Sequence, residues 1–112
     1  MKTRFPKQTA ILLIGYFHIT KVEENYRVFF PDDCPYAGQF FYIPEEYTSI
    51  YEDRYEVILE RTYMMPVFSM ITNTFMEISW QRLCFQIEKY NSSKRSKEKN
   101  DYENYEDRKS VV

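Results

Sequence analysis

The stretch QTAILLIGYFHIT, residues 8–20, is apolar on both of the faces that a strand would present. Ile11, Leu13 and Phe17 would share one face, while aliphatic and aromatic residues also occupy the other. Such a run predicts a central strand that is covered on both sides. Gly15 lies in its middle and indicates a bulge, a bend or a close backbone approach. We therefore expect one long, bent first strand.

Four shorter strands are predicted downstream because each segment is rich in aromatic and β-branched residues and is bounded by turn residues. They are YRVFF (26–30), QFFYI (39–43), YEVILERTY (55–63) and VFSMIT (67–72). Between the third and fourth strands, residues 44–54 start with a proline followed by two acids, which is typical of a short helix. Pro66 is expected to separate the last two strands.

A C-terminal helix is predicted over residues 74–90. Thr74 and Glu77 have the spacing of a capping box. Apolar residues then follow from Met76 to Tyr90 at steps of three and four, which gives a helical stripe roughly four turns long. Ile78, Cys84 and Phe85 add apolar surface on other sides.

The composition divides the 112-residue chain into three parts. We predict an N-terminal arm (1–7), one globular domain (8–91) and a disordered charged tail (92–112), because the tail has too few aliphatic residues to offset its ordering entropy. Residues 1–91 carry 9 Lys and Arg against 12 Asp and Glu, a net charge of −3. This balance excludes attraction of nucleic acid over the whole surface but leaves a local groove open.

Neither a secretory signal nor a membrane-spanning segment is recognised, so no membrane partner is expected. The chain contains two cysteines, Cys34 and Cys84, which do not make a disulfide framework. We expect reduced thiols in a nuclear or cytoplasmic protein.

Residues that could carry chemistry are sparse. His18 is the single histidine, no paired Cys or His spacing suits zinc, and Gly15 and Gly38 are the two glycines, so no phosphate-binding loop can be built. We expect no enzyme activity, no cofactor, no metal and no small-molecule substrate.

One stretch is similar to an enzyme family. RVFFPDDCPYAGQFFY, residues 27–42, resembles the strand–loop–strand of ubiquitin-conjugating enzymes, with a proline, acids, a small residue, Pro-Tyr and a glycine before an aromatic strand. No His-Pro-Asn element follows, and Cys84 falls on the predicted helix. The resemblance implies a module that binds a protein modifier or its machinery without a catalytic cysteine. The alternative is a stiff turn over which Tyr36 packs.

The order of elements over residues 8–90 resembles the OB-fold and, in layout, the small OB-fold subunits of replication protein A and of the telomere-capping CST complex. The resemblance implies a mostly β (α+β) fold. It would be a small five-stranded OB-like barrel with a short linker helix, a C-terminal helix and a disordered tail. It also implies a heteromer subunit that docks on a larger protein through its C-terminal helix.

Two sets of site residues follow from this layout. An OB-type groove stacks bases on aromatic rings along a basic track, although these aromatics could equally be core residues. The nucleic-acid candidates are Tyr16, Arg27, Phe29, Phe41, Arg54, Arg61, Tyr63 and Phe68. The helix either closes the end of the barrel or binds a partner. The partner-binding candidates are Met76, Ile78, Trp80, Leu83, Phe85, Ile87 and Tyr90.

The expected function is a non-enzymatic binding and assembly subunit, in a complex that handles single-stranded DNA or RNA. The folded part is acidic overall, so any contact with nucleic acid is expected to be weak. Two alternatives stay open: the inactive relative of ubiquitin-conjugating enzymes, and a viral or lineage-specific protein whose surface blocks a host protein.

Overall fold

The computed structural model describes the backbone of residues 6–111 and the side chains of residues 6–95. The chain is mostly β, with two sheets and one C-terminal helix. In chain order the elements are β1 (Lys7–Leu13), β2 (His18–Val22), β3 (Asn25–Phe29), β4 (Gln39–Pro44), β5 (Thr48–Ile50), β6 (Arg54–Glu60), β7 (Met64–Ser69), β8 (Thr74–Ser79) and α1 (Trp80–Val111).

Strand pairing within the described residues gives two antiparallel sheets instead of the expected five-stranded barrel. One sheet has three strands in the order β1-β6-β5, and the other has five in the order β2-β3-β4-β7-β8. β1 is therefore an edge strand of the small sheet, and β2 and β8 are the edges of the large one.

The apolar stretch at residues 8–20 forms two strands, so the prediction of one long strand is wrong. β1 ends at Leu13, and the N–H groups of Tyr16 and Phe17 both donate to the Leu13 carbonyl at 3.0 and 2.9 Å, which turns the chain. β2 then enters the other sheet. Gly15 does lie in the bend, but an added Cβ there would meet nothing within 4 Å. Close backbone approach is therefore not the reason for the turn.

The helix predicted at residues 44–54 is also wrong. A single 3₁₀ turn, Glu45–Tyr47, is followed by β5, whose three residues pair with β6 from Val57 to Tyr55. Pairing with a neighbouring strand outweighs the weak local preference of this segment for helix.

The predicted helix start at Thr74 is wrong because residues 74–79 form β8. Each residue of β8 pairs with one of β7, from Ser69–Thr74 to Met64–Ser79. Asn73, at a φ of 57°, supplies the left-handed residue that closes this hairpin. Pro66 lies inside β7 instead of before it, at a point beyond the β4–β7 ladder, which joins residues 39–40 to 68–69.

The helix α1 runs from Trp80 to Val111 and so extends past the predicted end at Tyr90. The tail predicted as disordered, residues 92–112, falls largely on residues whose side chains lie outside the described part, and it stays a prediction. Most of the predicted N-terminal arm lies outside the described residues as well, although Lys7 already opens β1. Within the described residues, no helix is both long and apolar enough to cross a bilayer.

The core lies between the two sheets and α1. Three helix residues, Trp80, Leu83 and Ile87, are at most 1% exposed and pack into it. Trp80 Nε1 donates to the Gln8 carbonyl at 2.8 Å, and Asn91 Nδ2 donates to the Ile11 carbonyl at 2.8 Å. Both acceptors belong to β1, so the helix covers the strand at the edge of the small sheet.

Candidate functional site: an outward aromatic face

The large sheet is apolar on both faces. Its inner face is formed by residues such as Val28, Phe41 and Val67, each 0% exposed. Because side chains alternate along a strand, the neighbours Phe29, Phe40 and Phe68 point to the opposite, outer face. Those three rings are half-buried instead of buried. The outer face of the sheet is therefore lined with rings that solvent can reach.

The outer rings form an uninterrupted line across five strands. We define the aromatic row as one residue from each strand of the large sheet: His18, Phe29, Phe40, Phe68 and Phe75. Successive centroids are separated by 5.9, 5.2, 5.5 and 5.5 Å, and the Phe40–Phe68 pair is stacked with an interplanar angle of 20°. The register explains the row, since each of these residues lies directly opposite the next.

Two further side chains flank the row. Tyr42 lies directly opposite Arg27, and its ring contacts Phe40 and Phe68 at centroid distances of 5.6 and 6.3 Å. The Arg27 guanidinium carbon lies 5.4 Å from the centre of the Phe29 ring. Arg27 Nε is buried and has no hydrogen-bond partner among the described residues. A buried donor without a partner lowers the stability of the fold.

An open groove lies at each end of this face. The larger one, which we call the loop–helix groove, has a volume of about 660 Å³ and separates the β3–β4 loop from α1. Its lining includes His18, Phe29, Asp33, Tyr90 and Lys94. The smaller groove has a volume of about 170 Å³ and is lined in part by Tyr42, Tyr63 and Phe68. Concave surface therefore borders the aromatic row at both ends of its strands, near His18 and Phe29 on one side and near Phe68 on the other.

A hydrogen bond and an ion pair link α1 to the β3–β4 loop in the loop–helix groove. Tyr90 Oη donates to Asp33 Oδ1 at 2.8 Å, and Lys94 Nζ forms an ion pair with Asp33 Oδ2. The pKa of the Asp33 carboxyl is lowered below its usual range, mainly by the Lys94 ammonium and to a smaller extent by the Tyr90 hydroxyl. Burial and the neighbouring carboxylate raise the pKa of Tyr90. These contacts fasten α1 to the loop.

The β3–β4 loop has the hydrogen bonds of a compact turn. The N–H of Ala37 donates to the Cys34 carbonyl at 3.0 Å, and that of Gln39 donates to the Tyr36 carbonyl at 3.1 Å. Gly38 has a φ of 81°, and its added Cβ would lie 3.1 Å from Ile71, so this position favours glycine. Tyr36 packs on Phe30 with centroids 5.1 Å apart.

Neither cysteine is activated. Burial raises the pKa of the Cys34 thiol, and burial raises the pKa of the Cys84 thiol to about 12. A nucleophilic or metal-binding cysteine needs the opposite shift. Among the described residues, no group of three or more His, Cys, Asp or Glu side chains is placed to hold a metal ion.

The predicted nucleic-acid residues are partly brought together. Arg27, Phe29 and Phe68 share the outer face, while Tyr63 and Tyr16 line the grooves at its two ends. The other three lie elsewhere. Phe41 is a core residue; Arg54 belongs to the small sheet and pairs with Asp53 and Glu56 at 2.9 and 2.7 Å; Arg61 is exposed in the turn after β6.

The nucleic-acid residues predicted from the sequence do not include four residues of this face, namely His18, Phe40, Tyr42 and Phe75. In QFFYI, alternation places one of the two adjacent phenylalanines inside and one outside. Phe40 lies directly opposite Phe29, and this pairing, which would identify Phe40 as part of the outer face, is known only from the strand register.

The predicted partner-binding residues divide into two groups. Ile78, Trp80, Leu83 and Ile87 are at most 7% exposed and pack into the core of the chain itself, and Tyr90 is half-buried. Met76 and Phe85 are 52% and 62% exposed. Other exposed apolar side chains lie on the β7–β8 hairpin, including Met70, Ile71 and Phe75.

Comparisons of the chain with protein-family models, with curated proteins and with solved structures find no match.

Proposed function

We propose that the protein is a non-enzymatic binding subunit whose aromatic row stacks the unpaired bases of a single-stranded nucleic acid. The observation that carries this proposal is the uninterrupted line of half-buried and exposed rings from His18 to Phe75. Aromatic rings bind bases of any sequence through their faces, and each stacked base contributes about 1–3 kcal/mol. Arg27 lies against the row and supplies a guanidinium for a phosphate.

Strand neighbours support an OB-like arrangement as part of this proposal. β3 and β4 correspond to the second and third predicted strands, and OB-folds bind oligonucleotides on that face. β2 pairs with β3 and β1 pairs with β6. The two halves of the apolar stretch at residues 8–20 thus take the part of one bent OB strand, shared between two sheets.

The charge balance sets the strength of the proposed interaction. The domain at residues 1–91 has a net charge of −3, and Arg27 contacts Phe29 of the row. Long-range attraction of phosphate is therefore small, and the affinity rests on stacking. Such a surface fits a subunit that contributes to binding within a larger complex. Both cysteines are free thiols, as suits the nucleus or cytoplasm.

The proposal is tested by fluorescence anisotropy of labelled single-stranded DNA and RNA against the full chain over a salt series. Each phosphate contact to a single strand adds about 0.7 to the slope of log affinity against log salt. We expect Arg27→Ala to weaken binding and reduce the slope by about 0.7. Arg61→Ala is the matched control, because Arg61 lies outside the row. Absence of binding by the wild type, or equal losses in the two variants, would contradict the proposal.

A second candidate function is assembly with a larger protein through the β7–β8 hairpin. Ile71 at its tip is 82% exposed, and Phe75 and Met76 point to opposite faces of β8 yet are 60% and 52% exposed. β8 is an edge strand, so an extended segment of a partner could add to it and cover both side chains. This hairpin takes the place of the predicted helix surface, whose central residues are buried.

Site-specific photo-crosslinking tests this second candidate in the cells that produce the protein. A crosslinking residue at Ile71 is expected to capture one defined partner, whereas the same residue at Glu88, on the exposed side of α1, is not. Phe75→Glu should abolish the capture at Ile71. Equal capture at both positions would argue against docking on the hairpin.

A further inference from the structure

The Lys94 ammonium occupies a cage made by two tyrosine rings and a carboxylate. Lys94 Nζ lies 5.5 Å from the centre of the Tyr90 ring and 5.9 Å from the centre of the Tyr16 ring. The two rings meet edge to face, with centroids 5.8 Å apart and an interplanar angle of 82°. Asp33 Oδ2 completes the cage with an ion pair to Lys94.

We propose that this cage is a binding site for the trimethylammonium group of a ligand, and that the Lys94 ammonium group competes with this ligand for the cage. Two rings at a large angle and a carboxylate make the arrangement that attracts a cation through both the ring faces and the negative charge. The position of Lys94 identifies the class of ligand, because it places an alkylammonium group in the cage. Tyr90 and Lys94 are one turn of α1 apart, so the same helix provides one ring of the cage and the ammonium group that competes with the ligand.

The surroundings favour a cation and leave room for it. The loop–helix groove has a volume of about 660 Å³ and is open, so a ligand can approach the cage without unfolding the chain. Asp32 and Asp33 both line it, and the Asp33 side chain is 52% exposed. An anion would meet two carboxylates here. A trimethylammonium group is more weakly hydrated than a primary ammonium and is a preferred guest of aromatic cages.

The experiment uses the full-length chain with Lys94→Ala, which empties the cage of its own cation. Tetramethylammonium chloride is titrated while the ring signals of Tyr16 and Tyr90 are followed by NMR, with sodium chloride at equal ionic strength as the reference. We expect Lys94→Ala to bind the probe at least about tenfold more tightly than the wild type, the amount that one weak cation–π contact and one ion pair would supply. Lys94→Arg keeps a cation in the cage and should behave as the wild type does.

A second variant distinguishes the cage from general attraction. In the Lys94→Ala background, Asp33→Asn should remove most of the gain, while Asp32→Asn should keep it. Choline and an acetylated trimethyllysine amide then serve as probes for a small-molecule source and a protein source of the group. A folded Lys94→Ala chain whose tyrosine signals respond equally to tetramethylammonium and sodium would overturn the proposal. Equal affinity in the wild type and Lys94→Ala would overturn the role of Lys94 as competitor.

Discussion

The ring of Phe40 stacks on the ring of Phe68, with centroids 5.5 Å apart and planes inclined by 20°. These residues face each other at the junction of β4 and β7, where the ladder consists of the pairs Gln39–Ser69 and Phe40–Phe68. The backbone contact between the two halves of the large sheet is therefore short, and a pair of rings reinforces it. A stacked pair of this kind contributes about 0.5–1.5 kcal/mol beyond its burial.

Replacing Phe68 by alanine should reduce both the stability of the fold and the affinity for single strands. The ring contacts Phe40, Tyr42 and Phe75, so its removal interrupts the row near its middle. Loss of one stacked base, about 1–3 kcal/mol, corresponds to a decrease in affinity of roughly 5- to 150-fold. Anisotropy gives the affinity, and urea unfolding of the same sample verifies that the variant is folded.

The control for this variant is Phe85→Ala, which removes a phenylalanine that is 62% exposed on α1. Its affinity for single strands should equal that of the wild type. If Phe85→Ala and Phe68→Ala weaken binding to the same extent, the aromatic row is not the binding surface.

Trp80→Ala is expected to destabilise the fold by about 3–5 kcal/mol. The indole is 0% exposed and donates to the Gln8 carbonyl, so its loss leaves a cavity and an unpaired acceptor. Phe85→Ala should change the free energy of unfolding by no more than about 0.5 kcal/mol. Urea denaturation compares the two. A stable Trp80→Ala chain that loses a partner would instead favour docking through the helix.

Acid should weaken the attachment of α1 to the β3–β4 loop. The folded-state pKa of Asp33 is lowered by Lys94 and Tyr90, so the carboxylate adds stability above its unfolded pKa, roughly 3.9. That stability is lost as the pH falls through the lowered folded value. Asp33→Asn should remove this part of the pH dependence below about pH 4. Unfolding curves of wild type and variant that remain parallel down to pH 2 would contradict the assignment.

Alkali should destabilise the protein through Cys84. Burial raises the pKa of this thiol to about 12 from an ordinary value of 9.0, so the unfolded chain releases its proton first. The free energy of unfolding therefore falls as the pH rises from 9.0 towards about 12. Cys84→Ala should show a shallower fall than the wild type. Native-state labelling at pH 8 should modify Cys34 before Cys84, and the reverse order would contradict the burial of Cys84.

The sequence predicts those strands whose patterns are clear over their whole length. β3, β4 and β6 are found where segments rich in aromatic and β-branched residues are bounded by turn residues. The sequence predicts helices where β5 and β8 lie, because their local signals, a proline with two acids and a capping-box spacing, are compatible with helix. Pairing with β6 and β7 decides their conformation, and a single sequence does not display that pairing.

The sequence predicts only part of the candidate site, because the rest depends on strand pairing as well. The combination of aromatic and basic residues predicts Arg27, Phe29 and Phe68, but it predicts Phe41 in place of Phe40. The two are adjacent and chemically identical, and the register of β4 against β3 decides which faces outward. Phe75 was hidden within a predicted helix. Trp80, Leu83 and Ile87 lie at helical spacing, and an apolar stripe of this kind is compatible with both core packing and partner binding.

The central claim is that bases stack on the aromatic row, and NMR of the phenylalanine ring protons tests it most directly. On addition of a short single-stranded oligonucleotide to the full chain, the ring signals of Phe29, Phe40 and Phe68 should move upfield, because a stacked base shields the protons beneath it. The signals of Phe41, on the inner face of β4, and of Phe85, on α1, should not shift. Shifts confined to Phe85, or no ring shifts at saturating oligonucleotide, would contradict the claim.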